Sequence, residues 1–173
     1  MTFTVTAAPT ITQVQPNSGN VGNAVNVTIT GTDFVAGQTT VQVSGAGVTV
    51  SAVNVTTPTS LTATFTIAAN AATGARNVTV TAPSGTSNAV TFTVTAAPTI
   101  TQVQPNSGNV GNAVNVTVTG TDFVAGQTTV QVSGAGVTVS AVNVTGPTTL
   151  TATFTIAANA ATGARNVTVT APS

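Results

Sequence analysis

The sequence contains no Cys, His, Lys, Glu, Trp or Tyr, and its only ionisable side chains are Asp33, Arg76, Asp122 and Arg165. Charged residues make up 2% of the chain, against about 25% in an ordinary soluble domain. Each absence excludes a class of chemistry. With no His or Cys, and one carboxylate in each half, the chain cannot assemble a metal cluster, an acid–base pair, a Ser-His-Asp arrangement or a reactive thiol. An enzyme is therefore not expected, and neither is a cofactor or a resident metal. Nucleic acid is a poor partner, because neutralising phosphates takes several Lys or Arg side chains. Disulfides are impossible, and the lack of Lys excludes Lys–Asn and Lys–Asp cross-links, so whatever holds copies together is non-covalent.

Long apolar runs are missing too. Thr, Asn and Gly interrupt every stretch before it reaches the roughly 18 residues that suggest a membrane helix, so membrane insertion is not expected. The opening Met-Thr-Phe-Thr-Val-Thr lacks the basic region and apolar core of a secretion signal. A surface this poor in charge favours association or precipitation. The expectation is a surface covered by neighbouring subunits or by attached sugar, on a protein that works outside the cell.

What the sequence does contain is a duplication. Residues 2–84 and 91–173 align with three differences only: Ile29 against Val118, Thr57 against Gly146, and Ser60 against Thr149. The repeat is too long for one turn of a solenoid and close to the size of one immunoglobulin-like domain. Within it, short segments alternate apolar and polar residues with period two, the mark of strands with one buried face. Val25, Val27 and Ile29 share a face, as do Leu61, Ala63, Phe65 and Ile67. Gly, Pro, Asn and Ser gather in "PNSGNVGN", "GTDFVAGQ" and "APSGTSN", where turns are expected, and "IAANAATGAR" could form a short helical turn. Around seven strands with regular turn signals predict an all-β fold, a β-sandwich in each repeat.

Pro9, Ile11, Val14, Pro16 and Gly19, then "GTDF" at Gly31 to Phe34 and "ATGARNVTVTAPSGTSNAVTFTV" resemble the IPT/TIG group of immunoglobulin-like domains. The pattern recurs from Pro98. The resemblance implies two tandem immunoglobulin-like sandwiches, and among the uses of such domains it points to repeated modules in bacterial surface fibres, stalks and adhesins. In the family's frame "SNAVTFTV" is the last strand of a domain. The expected domains are then 7–95 and 96–173, the second lacking its last strand, with residues 1–6 a spare copy of that strand. Phe3 and Val5 match Phe92 and Val94, and Met1 stands where Val90 does.

A sandwich without its last strand exposes an apolar groove and a row of unpaired backbone groups, and a matching strand from another molecule can fill it. Burying Met1, Phe3 and Val5 is worth roughly 1.5–3 kcal/mol each, before the cost of association. The leading expectation is a head-to-tail homopolymer, the fibre subunit being its own partner. The alternative is a segment of a longer array of identical repeats, a stalk or spacer. A carbohydrate-binding module is a weaker reading, since no Trp or Tyr is available to stack on sugar rings. Ice binding is weaker still, because twisted sheets make a poor flat array of Thr hydroxyls.

Two further sets of residues belong to the polymer reading. Stacked domains would bring Arg76 towards Asp122, and Arg165 towards Asp33 of the next subunit; the duller alternative has Asp33 capping a turn and Arg76 solvated. Asn-Val-Thr sequons at Asn26, Asn54, Asn77, Asn115, Asn143 and Asn166 are candidate glycosylation sites, although a chain so rich in Asn and Thr produces about this many by chance. The outward Thr rows offer O-linked attachment instead.

Overall fold

A computed structural model describes residues 7–171, and among these there is no helix. The chain divides into two compact units between Ala96 and Ala97. The first is built from β1 (Thr10–Gln15), β2 (Ser18–Asn20), β3 (Ala24–Thr32), β4 (Thr40–Val43), β5 (Val48–Thr57), β6 (Ser60–Ile67), β7 (Gly74–Ala82), β8 (Gly85–Thr86) and β9 (Val90–Thr95). One sheet has the order β1-β3-β6-β5, and the facing sheet has the order β2-β9-β7-β4 with β8 added on β7.

The alternating pattern explains why these segments become strands and which face each buries. Along β3 every second residue is buried, from Val25 through Val27 and Ile29 to Gly31, while Asn26, Thr28 and Thr30 face solvent. β6 answers it in antiparallel register, with Val25 opposite Phe65, Val27 opposite Ala63 and Ile29 opposite Leu61. Phe65, Phe92, Val78, Val80 and Val94 close the core from both sheets. The edge strand β5 is interrupted by a bulge between Ser51 and Asn54, where Ala52 takes a positive φ of 50°. A bulge of this kind breaks the regular row of edge groups to which a stray strand could pair.

Two expectations are corrected at this level. The segment after Ile67 forms no helical turn; it folds as a tight turn in which Ala71 N–H donates to Ala68 O at 3.0 Å, and β7 begins at Gly74. The Gly/Asn-rich stretch after Pro16 is not wholly a turn either. Its Ser18–Asn20 part is β2, which pairs in parallel with β9.

The second unit repeats part of this plan. β10 (Thr99–Gln104), β11 (Ala113–Thr121), β14 (Thr149–Ile156) and β13 (Val137–Gly146) form a sheet in the order β10-β11-β14-β13, matching the first sheet of unit one strand for strand. The facing sheet is reduced to β12 (Thr129–Val132) and β15 (Val167–Thr170). Among the described residues it has no counterpart of β9, β2 or β8, and β15 is far shorter than β7.

Candidate functional site: an open strand groove

β9 shows what the reduced sheet lacks. On one side it pairs antiparallel with β7, Gly74 opposite Val94 and Val78 opposite Val90. On the other it pairs in parallel with β2, Ser18 opposite Thr93 and Asn20 opposite Thr95. Thr93 N–H donates to Asn17 O at 2.8 Å and Val21 N–H to Thr95 O at 2.9 Å, extending the ladder beyond β2 at both ends. β2 is a strand because β9 is there to pair with it, and the same sequence at Ser107–Asn109 forms none.

The inward side chains of β9 are Phe92 and Val94, both fully buried, with Val90 half-buried at the margin of the core. The Phe92 ring meets Phe65 edge to face, centroids 5.2 Å apart at 85°, the arrangement in which a ring's positive edge meets a negative face. Gly19 makes room for it. A Cβ there would lie 3.0 Å from Phe92 Cζ and 2.6 Å from Ile67 Cδ1, so any larger residue would displace the ring.

In the second unit the equivalent space is a groove of about 1100 Å³, lined by Ile100, Val103, Val114, Phe154, Ile156 and Val167 among others. The counterparts of these six in the first unit, Ile11, Val14, Val25, Phe65, Ile67 and Val78, are all buried. Here only Phe154 stays in the buried class, at 9% exposure against 0% for Phe65, and the other five are half-buried. Gly108 keeps its place in the wall, its hypothetical Cβ 2.7 Å from both Ile156 Cδ1 and Val114 Cγ2, with no ring above it. Sequence is almost constant over the shared region, so the difference in burial goes with the segment that carries β8 and β9, which has no counterpart among the described residues of the second unit. Met1, Phe3 and Val5 lie outside the described residues.

Asp33, Asp122 and Arg165 sit in loops and Arg76 near the start of β7; Arg165 lies on the wall of the groove. Asp33 and Asp122 are exposed, with φ of 60° and 59°. The hydroxyl that caps the Asp33 turn belongs to buried Thr39, whose Oγ1 accepts from Val35 N–H at 2.8 Å; Thr128 does the same for Val124 at 2.7 Å. The arginines are held inside their own domains. Arg76 donates through Nη2 to Ala72 O at 2.6 Å and packs on Gly45, while its buried Nε has no partner. Arg165 donates to Ser133 O at 3.2 Å and to Ala161 O at 2.8 Å. Arg76 ties the start of β7, and Arg165 the residues just before β15, to neighbouring loop carbonyls, so these side chains are not simply solvated.

All six sequon asparagines are exposed. Asn26, Asn54 and Asn77 lie on β3, β5 and β7, Asn115 and Asn143 on β11 and β13, and Asn166 just before β15. Asn26 Oδ1 accepts from Thr64 Oγ at 2.8 Å, and Asn115 Oδ1 from Thr153 Oγ at 2.8 Å. No group of three or more His, Cys, Asp or Glu that could hold a metal occurs among the described residues, and none of the helix type that crosses membranes is present among them.

Sequence reasoning missed three features around β9. β2 was hidden in a Gly/Asn-rich stretch with no alternation, and the role of Gly19 as the floor under Phe92 was not apparent. Asn88 was unsuspected as well. Its Oδ1 accepts from Ile11 N–H at 3.0 Å and its Nδ2 donates to Ile11 O at 2.8 Å, so one amide clamps both backbone groups of a residue on β1.

Two facing sheets in each unit, closed in the first by a strand that runs between β2 and β7, define tandem immunoglobulin-like sandwiches. The IPT/TIG domain model matches residues 9–94 and again 98–173, and the chain belongs to the IPT/TIG domain family. No curated protein matches the sequence. Among solved structures, the full extracellular region of plexin A4 is similar at 22% identity and a TM-score of 0.56, over 95% of this chain and 14% of that one; this likeness shows the fold. The Escherichia coli adhesin FdeC is similar at 18% identity with a TM-score of 0.44, over 96% of this chain and 61% of that one. The Yersinia pseudotuberculosis adhesin InvE is similar at 20% identity with a TM-score of 0.39, over 94% and 58% respectively. The chain thus spans about a seventh of the plexin region and less than two thirds of either adhesin chain.

Proposed function

We propose that this chain is a structural element of an extracellular fibre, in which the groove of the second domain is filled by residues Thr2–Thr6 of another copy, so that copies join head to tail. One observation carries the reading. The residues that hold β9 in the first domain recur in the second with the groove above them open, and Thr2–Thr6 repeat the sequence of Thr91–Thr95. A heterologous contact that does not close on itself makes an open filament. The near absence of charge supports it, since a surface with four ionised groups is suited to being covered by its neighbours or by sugar, and the six exposed sequons are the places N-linked glycan would attach.

The test is polymerisation of the purified protein followed by light scattering and electron microscopy. Filaments that dissociate to single chains in denaturant, and that fail to form with Phe3→Ala, are the expected result. A chain that stays monomeric at high concentration overturns the proposal. The continuity of β9 into β10 through only three residues favours one other reading, a stalk in which further repeats follow in the same polypeptide. In that case the denatured mass of native material is a multiple of the repeat.

A further inference from the structure

The turns that join β5 to β6 and β13 to β14 are the places where proline and threonine stand together in the open. They read Thr56-Thr57-Pro58-Thr59-Ser60 and Thr145-Gly146-Pro147-Thr148-Thr149, and two of the three differences between the repeats fall inside them. Thr56, Thr57, Pro58 and Thr59 are all exposed, as are Pro147 and Thr148. Elsewhere among the described residues, wherever a hydroxyl residue follows a proline, one member of the pair is covered. Pro9 is buried ahead of Thr10, Pro98 is half-buried ahead of Thr99, and Ser84 is half-buried after Pro83.

Each tip is fixed from behind. Pro58 O accepts from Phe34 N–H at 2.9 Å and Thr59 O from Gly31 N–H at 3.0 Å; Pro147 O and Thr148 O accept from Phe123 N–H and Gly120 N–H at the same two distances. The carbonyls are thus engaged by the neighbouring turn while the side chains at the apex stay exposed. Thr57 Oγ1 and Thr59 Oγ1 bond only each other, 3.2 Å apart, apart from the Thr59 N–H that Thr57 Oγ1 also accepts. The Thr148 hydroxyl has no partner among the described residues. The sheet faces offer a different environment. Thr28 and Thr62 stand opposite each other on β3 and β6, Thr64 is bonded to Asn26, and both β3 and β7 are paired on either side. A modifying enzyme must take several acceptor residues into its cleft, which a turn standing clear of the sheet permits and a strand paired on both sides resists.

We infer that Thr59 and Thr148 are sites of O-linked glycosylation, with Thr57 a second acceptor on the first tip. This rests on the reading that sugar covers the surface, and it names an attachment point chemically distinct from the six sequons. Thr and Ser gathered around Pro are the composition of O-glycosylated stalks. In the transfer, Thr Oγ attacks the anomeric carbon of a sugar carried on a nucleoside or lipid diphosphate. The bond from Oγ to that carbon forms, the bond from the carbon to the phosphate oxygen breaks, the diphosphate leaves with the electron pair, and the hydroxyl proton passes to a base of the transferase. Sugar at the tips also has something to cover. Val35 and Val124, each one residue beyond the Phe whose N–H bonds the tip, belong to the four exposed large apolar side chains among the described residues, at 37% and 42% exposure. A bulky, hydrated group beside them supplies the solubility that four ionised side chains do not.

The experiment is site mapping on native material: the intact mass of the denatured chain, then electron-transfer fragmentation of its peptides before and after alkaline β-elimination, which strips sugar from Thr and leaves Asn-linked sugar in place. Segments 54–62 and 143–151 differ at Thr57/Gly146 and Ser60/Thr149, so the two tips are told apart by mass. The expected result is a chain heavier than its sequence by whole sugar residues, with sugar on Thr59 and Thr148 that β-elimination removes. A chain carrying Thr59→Val and Thr148→Val, made in the same cells, should lose that mass and keep its unfolding midpoint in denaturant. Sugar confined to the sequon asparagines, or to Thr on the sheet faces, overturns the tip sites and leaves the sugar coat standing. A chain of unmodified mass overturns the sites and the coat together, and phosphate on the tips in place of sugar overturns the glycan assignment. Filament assembly is scored on the same material by microscopy, so the polymer reading stands or falls by itself.

Discussion

The two domains form a natural pair of mutants. Their sequences differ at three positions over the shared region, none of which faces the groove as a change of chemistry: Ile29 to Val118 deletes one methylene in the core, and the other two lie at the turn joining β5 to β6 and its equivalent. Yet one domain buries Ile11, Val14, Val25, Ile67, Val78 and Val80, and the other leaves every counterpart half-buried. The half of the sandwich formed by β1, β3, β5 and β6 keeps its register to the residue in its partner, bulges included. The lesson is that one sheet of this fold forms from local pairing alone, and the facing sheet depends on its last strand. β2, the long form of β7 and the burial of the core are properties of that strand more than of the segments that display them.

The largest effect should come from abolishing the difference. Extending the chain after Ser173 with the sequence of residues 85–95 supplies the second domain with its own strand. Burying one Phe and two Val, less the cost of ordering the added residues, should raise that domain's unfolding free energy by roughly 4 kcal/mol in denaturant titrations. The same extension should stop polymerisation. The converse change, Phe92→Ala, should bring the first domain down by about 3–5 kcal/mol and leave its unfolding midpoint close to that of the second.

Smaller changes sharpen the contrast. Gly19→Ala places a methyl against Phe92 and Ile67 and should cost the first domain about 1–3 kcal/mol by overpacking. Gly108→Ala meets only the ends of Ile156 and Val114, so it should cost the isolated chain less while blocking strand entry, a split that comparing unfolding with filament growth would reveal. Smallest and symmetrical, Thr39→Val and Thr128→Val each remove a turn-capping hydroxyl and should cost about 1 kcal/mol. Equal losses in the two domains would show that these turns belong to the half that does not feel β9.

The half that forms locally is also the half that was legible in the sequence. β3 and β6 announce themselves by strict alternation, and their pairing follows from a facing pattern of Val and Ile against Leu, Ala and Phe. The groove was legible too, because "TFTVT" at residue 2 can be laid on its twin at residue 91. What escaped was everything that depends on distant partners. Ser18–Asn20 carry no apolar period, and become a strand only through a neighbour more than seventy residues away. Asn88 looks like any polar loop residue until the fold brings it against Ile11. The arginines invited a search for opposite charges, and found carbonyl oxygens in adjacent loops instead, which a charge count does not anticipate.

The parallel pairing of β2 with β9 has a mechanical meaning. The chain enters the first domain beside Asn88, at the start of the closing segment, and leaves at Thr95, beside Asn20. Entry and exit strands run side by side in the same direction, so a pull on the two ends slides β2 and β9 past each other along their length. Hydrogen bonds lying across the pull share the load and must break together, where a peeled hairpin would lose them one at a time. A string of domains paired in this way resists tension along these parallel strands.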